Sequence, residues 1–246
     1  MTAALLVVPM RVERLALTGF PRPGRAVRAV RAVLPAGSGR AVGSGRAVAV
    51  LRTGAGPRRA AAAAPLVRAA LAAGGHPALV VTGVCGGLVA GLEPGDLVVA
   101  SEVVGDDGSV LPCVATGPLI EELRRAGLRV HTGPVRTVRR VVDGAGRLRL
   151  AGTGAIAVDT ESRWLVEAAG AGPVFVVRAV ADTADHPLRS PAVLRAGLAA
   201  LRSLRLAAPV LATAGSVDRP AQPDRLSPAP DRSSARPECP SPREAS

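Results

Sequence analysis

Hydrophobic residues along the chain fall into short, nearly continuous runs that are separated by longer segments of mixed polarity. Six such runs predict β-strands, at residues 5–8, 47–51, 78–82, 97–100, 155–158 and 174–180. Runs that lack an alternating polar position are typical of strands covered on both faces. The pattern therefore predicts a sheet that is buried in the middle of a domain.

Helix-like segments lie between several of these runs. The first spans residues 57–74, where Pro65 is expected to kink or divide the helix. The second spans residues 117–127 and carries acids in its first half and bases in its second. A third is expected to start with Ser190 as its N-cap. Strands that alternate with helices predict an α/β fold, with one three-layer α/β/α domain around a mixed central sheet.

Two segments differ in composition from the rest of the chain. Residues 22–46 repeat an R-A-V unit, which predicts a low-complexity loop or edge. From residue 213 onwards Pro, Ser, Asp and Arg dominate, which is typical of a disordered tail. The sequence thus predicts one folded domain over residues 1–212 and a disordered tail over residues 213–246.

The formal net charge of +12 at pH 7 comes from arginine alone, since the chain contains no lysine. Residues with AT-rich codons are nearly missing, so a GC-rich genome explains this bias and lowers its functional weight. The arginines are dispersed, and an aromatic content of 1% leaves few platforms for stacking bases. No nucleic-acid partner is expected, although residues 22–46 keep open a basic protein that binds nucleic acid or a membrane surface.

The three cysteines and three histidines show no spacing that is typical of a metal site or a disulfide framework. We therefore expect no metal. No run approaches the roughly 20 apolar residues that span a bilayer, and the N-terminus lacks the pattern of a signal peptide. A cytoplasmic location without an integral membrane segment is expected.

Glycines cluster where predicted strands end. The stretch "RTGAGP" at residues 52–57 places a turn before a helix, a geometry that suits an anion, although a tight turn is the simpler explanation. Gly83, Gly86 and Gly87 follow the strand at residues 78–82. Ligands bind at the carboxyl ends of strands in open α/β sheets, so this second cluster is the better candidate for a site.

Acidic residues follow two of the predicted strands. Asp159 and Glu161 lie two positions apart, which places both side chains on one side of an extended segment. One of them can cap the helix that follows, and the other can accept hydrogen bonds from both hydroxyls of a sugar diol. Asp182 ends the last strand, where a carboxyl group suits a general acid or, equally, a cap.

Taken in order, these motifs resemble the purine nucleoside phosphorylase and methylthioadenosine/adenosylhomocysteine nucleosidase superfamily. The resemblance covers residues 4–206 and comprises "VVPMRVE", "TGAGP", "TGVCGGL", "AIAVDTES" and "VFVVRAVADTAD", of which the last two are the most specific. "GVCGGL" and "GAIAVDTES" are most similar to the hopanoid-associated phosphorylases, a branch implicated in removing adenine from an adenosylated hopane.

The resemblance implies an enzyme that cleaves the N-glycosidic bond of a purine nucleoside, with adenine as the expected base. It implies that Glu161 binds the ribose 2′- and 3′-hydroxyls and that Asp182 protonates the leaving purine at N7. Glu13 falls where nucleosidases place the glutamate that activates water. The loop expected beside ribose and base comprises Val84, Cys85 and Gly86.

Several positions depart from the family pattern. Thr160 replaces a methionine that contacts the sugar, and Ala181 replaces a serine that orients Asp182. Val84 falls where a serine often contacts phosphate or water, and Val141 near an aromatic that stacks on the base. The acids are kept while their surroundings change, which implies an unusual substrate or a reduced activity.

Three functional hypotheses stay open on this basis. The arginines and the hopanoid-like motifs favour phosphorolysis, with inorganic phosphate as co-substrate and no other cofactor. Glu13 favours hydrolysis, because a carboxylate base activates water and repels phosphate. The altered positions allow a degenerate member that binds a nucleoside without cleaving it. The resemblance also implies a homo-oligomer, in which neighbouring subunits often complete the site.

Overall fold

The computed structural model describes residues 4–18, 49–74, 76–115, 117–142, 144–185 and 193–217. The R-A-V segment at residues 22–46 and the expected N-cap Ser190 lie outside the described residues. So does the predicted tail beyond residue 217.

Strands and helices alternate along the described chain. The strands are β1 (Leu5–Val8), β2 (Ala49–Arg52), β3 (Leu79–Gly87), β4 (Leu97–Val104), β5 (Val110–Pro112), β6 (Val130–Thr137), β7 (Ala157–Asp159) and β8 (Val174–Asp182). The helices are α1 (Arg11–Thr18), α2 (Pro57–Gly74), α3 (Gly117–Arg125), α4 (Gly144–Ala151), α5 (Ser162–Glu167) and α6 (Val193–Val217). The predicted α/β class is confirmed.

Each predicted strand overlaps an observed one, but the predicted division of α2 needs correction. Pro65 does not divide α2, which is one helix from Pro57 to Gly74. The helix α6 continues to Val217, so the predicted boundary at residue 212 falls inside a helix. The reason is that Leu211 and Ala214 still pack in the core, so the helix gains apolar burial past that point.

The sheet contains parallel and antiparallel pairs, as predicted for a mixed sheet. Strand β1 pairs in parallel with β2 and β3. Strand β3 also pairs with β7 and with β8. Strand β4 pairs with β8 and with β6, and β6 pairs in turn with β7. These five pairings join β3, β8, β4, β6 and β7 into a closed ring, from which β1 and β2 extend as an open flank.

Two hydrophobic cores lie on opposite sides of the strands. One contains residues of α1, α3 and α6, such as Leu17, Leu119 and Leu204. The other contains residues of α2 and α5, such as Val67 and Leu165. Helices therefore cover the sheet from both sides, and each fully buried Leu or Val contributes about 1.5–3 kcal/mol.

The arrangement brings several strand ends to one place. Parallel strands β1, β3 and β8 start level with one another and run in the same direction, since Leu5 pairs with Leu79 and Leu79 with Val174. The pairing of β3 with β8 shifts register between Cys85 and Gly86, so that Gly86 lies opposite Asp182. This bulge disrupts the regular ladder at the end of β3.

Candidate active site

A cavity of about 310 Å³ opens at these strand ends. It is lined by all eight residues that the sequence singled out as site candidates: Glu13, Val84, Cys85, Gly86, Val141, Thr160, Glu161 and Asp182. These residues come from separate parts of the chain. The fold thus assembles the predicted site in one place, although their roles stay proposals.

Glu13 lies on α1 and is fully buried. Its Oε2 accepts a hydrogen bond from the backbone N–H of Met10 at 2.6 Å, and its Oε1 accepts one from Val84 at 2.9 Å. Burial raises the pKa of Glu13 above its usual 4.5, and the two hydrogen bonds oppose that rise. Glu13 is therefore a fixed carboxyl group that holds a proton more readily than a glutamate in water.

Glu161 is buried at the junction between β7 and α5. Its Oε1 accepts hydrogen bonds from the N–H of Gly56 at 2.8 Å and from the Thr160 hydroxyl at 2.6 Å. Gly56 has φ of +92°, a left-handed conformation that glycine adopts without strain. The glycine turn after β2 thus directs at least one N–H to the carboxylate of Glu161.

Asp159 organises the same junction and also lines the cavity. It accepts hydrogen bonds from the Thr137 hydroxyl at 2.8 Å and from the N–H groups of Glu161 and Ser162 at 3.3 and 3.2 Å. The Ser162 hydroxyl also donates to it. The contacts support the structural interpretation of this acid, because they satisfy backbone donors at the start of α5.

Arg178 is the counter-ion of this cluster, and sequence reasoning missed it. It is 0% exposed on β8, and its Nη2 lies 2.7 Å from Asp159 Oδ2 and 3.9 Å from Glu161 Oε2. Desolvation opposes its charge, but Asp159, Glu161 and Glu13 outweigh it and raise the pKa of Arg178. The signal was present as a single charge inside the apolar run "VFVVRAV".

Arg147 is the second charged residue that sequence reasoning missed. It lies on α4, is only 7% exposed, and lines the cavity. It forms an ion pair with Asp182 and donates from Nη1 to the carbonyl of Gly87 at 2.9 Å. Nothing in "GRLRLA" distinguishes Arg147 from Arg149, because only the three-dimensional packing shows which one turns inward.

The positions that depart from the family pattern have distinct environments. The hydroxyl of Thr160 donates to Glu161, so this residue orients the glutamate as well as lining the cavity. Val141 is 71% exposed and stands at the cavity mouth rather than deep inside. Burial raises the pKa of Cys85 to about 12, so its thiol is neutral near pH 7.

A second cavity, of about 550 Å³, adjoins the first. The two share Pro9, Met10 and Ala55 as lining residues. The second cavity is also lined by Arg11, Arg52, Thr53, Gly54 and Arg59. Three arginines around one cavity make it suitable for an anion.

Within the described ranges, no group of three or more His, Cys, Asp or Glu residues is placed to hold a metal ion. Among the helices that the structure describes, none is long and apolar enough to cross a bilayer.

The fold is that of a class of α/β enzymes that act on N-glycosidic bonds. Residues 5–212 match the family model of the phosphorylase superfamily, and the chain belongs to this family. A search of curated proteins finds no match.

Solved structures share the fold at low sequence identity. One is a 5′-methylthioadenosine/S-adenosylhomocysteine nucleosidase from Neisseria meningitidis in complex with methylthio-immucillin-A. The TM-score is 0.64 and the sequence identity is 22%, and the match covers 85% of this chain and 98% of that chain. The corresponding enzyme from Helicobacter pylori, with butyl-thio-DADMe-Immucillin-A, has TM-score 0.65, 19% identity, and coverage of 86% and 96%. The futalosine hydrolase of Helicobacter pylori has TM-score 0.62, 18% identity, and coverage of 85% and 94%.

Proposed function

We propose that the protein cleaves the N-glycosidic bond of a purine nucleoside and transfers the ribosyl group to inorganic phosphate. The observation that carries the proposal is the presence of buried Glu161 and Asp182 in one cavity. Breaking this bond builds positive charge on the sugar and negative charge on the base. Groups fixed at both ends act where charge develops in the transition state.

Glu161 suits the sugar end. Gly56 and Thr160 hold its Oε1, so the carboxylate is oriented before a ligand arrives. A carboxylate has about four lone-pair sites in total, so it can still accept from adjacent ribose hydroxyls. Asp182 lines the same cavity, and in the proposed arrangement it would face the base.

Phosphate as the acceptor is supported by the arginine-lined cavity. Arg11, Arg52 and Arg59 surround a space that adjoins the first cavity through Pro9, Met10 and Ala55. A phosphate held there would lie beside the sugar end of the nucleoside. Because burial raises the pKa of Glu13, a protonated Glu13 repels phosphate less than an ionised one would.

Hydrolysis is the second candidate, and the contacts of Glu13 favour it. The carboxyl group is fixed by two backbone N–H groups and lines the main cavity. A buried carboxylate with a raised pKa is a better base for taking a proton from water than an exposed one. Glu13 therefore supports a nucleosidase reaction of the methylthioadenosine/adenosylhomocysteine type.

The cavity wall also supports a substrate with an apolar 5′ substituent. Val138, Val141 and Val142 line the cavity, and Val141 is exposed at its mouth. An adenosylated hopanoid has such a substituent, and we retain it as the proposed substrate. An ordinary adenine nucleoside presents the same bond and serves as the first test.

The experiment is to incubate the purified protein with adenosine and with 5′-methylthioadenosine, each with and without phosphate, and to identify both products. Release of adenine with a sugar 1-phosphate supports phosphorolysis, and release of free sugar supports hydrolysis. Glu161→Gln should lower kcat/KM by about 100-fold or more, in line with the loss of a transition-state contact. Glu121→Gln, at an exposed ion pair, is the matched control and should change little.

Binding of adenine nucleosides without release of adenine from any tested substrate would reject catalysis and support a binding protein. We also propose a homo-oligomer, which the molar mass in solution tests by light scattering.

A further inference from the structure

The two carboxylate oxygens of Glu161 have different surroundings. Oε1 accepts hydrogen bonds from the backbone N–H of Gly56 at 2.8 Å and from the hydroxyl of Thr160 at 2.6 Å. Among the residues that the structure describes, no donor lies within hydrogen-bond distance of Oε2, and Nη2 of Arg178 lies 3.9 Å from it. The two oxygens therefore differ in what they can offer a sugar.

The hydroxyl of Thr160 fills the acceptor capacity of Oε1. A carboxylate has about four lone-pair sites, two on each oxygen. Gly56 and Thr160 take both sites of Oε1, so the sites that remain lie on Oε2. A methionine at position 160, as in the family pattern, has no donor and would leave one site of Oε1 open.

This hydroxyl is held in place by the junction between β7 and α5. Thr160 directly follows Asp159, which accepts hydrogen bonds from the hydroxyls of Thr137 and Ser162. Thr160 and Glu161 both line the main cavity. Glu161 is only 6% exposed, so water competes little for its oxygens. The contact between Thr160 and Glu161 is therefore part of the site that a ligand meets.

A carboxylate with one open oxygen recognises a ribose differently from one with two. The 2′- and 3′-hydroxyls are adjacent donors, and a carboxylate receives both best when each hydroxyl points to its own oxygen. Two hydroxyls that share one oxygen cannot both align well, and a hydrogen bond weakens steeply as its geometry departs from the preferred one. An oxygen that is already satisfied loses nothing when a sugar hydroxyl is absent, whereas an acceptor left unpaired penalises the deoxynucleoside.

We propose that Thr160 is a specificity-determining residue, whose hydroxyl occupies Oε1 of Glu161 so that the site requires only one of the two ribose hydroxyls. Oε2 receives the hydroxyl that is required, and the other is dispensable. The substrate class then includes a deoxynucleoside of adenine beside the ribonucleoside. This inference rests on the proposed function, in which Glu161 binds the sugar.

The test compares adenosine with 2′-deoxyadenosine and with 3′-deoxyadenosine in wild type and in Thr160→Val. For each deoxynucleoside, the quantity is the preference ratio, which is kcat/KM for adenosine divided by kcat/KM for the deoxynucleoside. Thr160→Val frees one site of Oε1 for the second hydroxyl. We expect it to raise the preference ratio for at least one deoxynucleoside by about tenfold or more, the usual effect of a hydrogen bond to a charged group.

Comparing the preference ratio of the variant with that of wild type removes two other effects. The 2′-hydroxyl withdraws electron density from C1′, so a 2′-deoxynucleoside breaks more readily without any enzyme. This reactivity is the same for wild type and Thr160→Val and cancels. A threonine that only positions Glu161 would change kcat/KM for all three nucleosides by the same factor, and the preference ratios would stay as in wild type.

Thr153→Val is the matched control. The Thr153 hydroxyl also donates at 2.6 Å, to the carbonyl of Leu150, and this exposed residue lines neither cavity. The control should keep the rates and the preference ratios of wild type. Thr160→Ser retains the hydroxyl and should keep the wild-type ratios, whereas Thr160→Met lacks it and should shift them as Thr160→Val does. Thermal melting of each variant shows whether it is folded.

The outcomes separate this assignment from the proposed function. If wild type releases no base from any purine nucleoside, the proposed catalysis fails, and dissociation constants from calorimetry give the same ratios and still test Thr160. If folded Thr160→Val keeps both wild-type ratios, Thr160 does not determine sugar specificity. A fall in either ratio would show that the Thr160 hydroxyl itself holds the sugar, which also overturns the assignment. A protein that neither cleaves nor binds a nucleoside overturns both proposals.

Discussion

Replacing Arg178 with methionine is the most direct test of how the buried charges are held together. The guanidinium is fully buried and contacts Asp159 at 2.7 Å and the Ser162 hydroxyl at 2.8 Å. Methionine fills similar space but leaves Asp159 without a counter-ion. Removing one partner of a buried ion pair generally costs about 3–5 kcal/mol.

The remaining contacts place the expected effect at the lower end of that range. Asp159 would keep its hydrogen bonds from Thr137, from Ser162 and from two backbone N–H groups. We therefore expect Arg178→Met to lower the free energy of unfolding by about 3 kcal/mol. The double variant Arg178→Met/Asp159→Asn removes the unpaired charge and should recover about half of this loss.

Urea denaturation measures both values. With a slope of about 2 kcal/mol per molar urea, the single variant should unfold at a urea concentration about 1.5 M lower than wild type. Arg124→Met removes an exposed arginine paired with Glu121 and should shift the midpoint far less. If Arg178→Met and Arg124→Met unfold within about 1 kcal/mol of each other, the cluster is not held by this ion pair.

Three further predictions concern single groups in the site. Burial raises the pKa of Glu13 in the folded chain above 4.5, so folding takes up a proton between pH 4.5 and the raised pKa. The stability that this group contributes is therefore complete below pH 4.5 and is lost as the pH rises through the raised pKa. Glu13→Gln should flatten that dependence in urea melts from pH 4 to 8, and an unchanged slope would contradict the assignment. With a pKa of about 12, Cys85 should resist iodoacetamide at pH 8 in native protein and react after unfolding, as peptide mass spectrometry can show. Gly56→Ala forces a left-handed alanine, which costs about 1–2 kcal/mol, and relief of this strain should move the N–H that positions Glu161 and raise KM for the nucleoside. Gly108 has a similar φ and, like Gly56, open space around it, so Gly108→Ala carries the same strain and should leave KM unchanged.

The strands could be predicted because their sequences are continuous and apolar. The runs that include Val80 and Val176 are buried on both faces, and burial of this kind leaves a pattern that needs no knowledge of neighbours. Strand β6 has no such run, because Gly133 and Pro134 interrupt it and its positions alternate between buried and partly exposed. Its pairing with β4 and β7 determines its conformation.

The acids of the site could be predicted, but the arginine that pairs with Asp182 could not. Glu161 and Asp182 stand at strand ends in recognisable motifs, so their sequence position suggests their place in the fold. Arg147 comes from a short helix whose sequence gives no sign of which arginine turns inward. Its contact with Asp182 depends on the bulge in β3, and a bulge is a property of paired strands.

The closed ring of strands has a consequence for how such an enzyme changes over generations. Glu161 and Asp182, which are proposed to recognise the nucleoside, follow strands that belong to the ring, and no ring strand can shift without disturbing two neighbours. Glu13 and the arginine-lined cavity belong to the open flank formed by β1, β2 and the helices after them. Substitutions on that flank, which is proposed to bind the ribosyl acceptor, can therefore accumulate without disturbing the pairing of the ring strands.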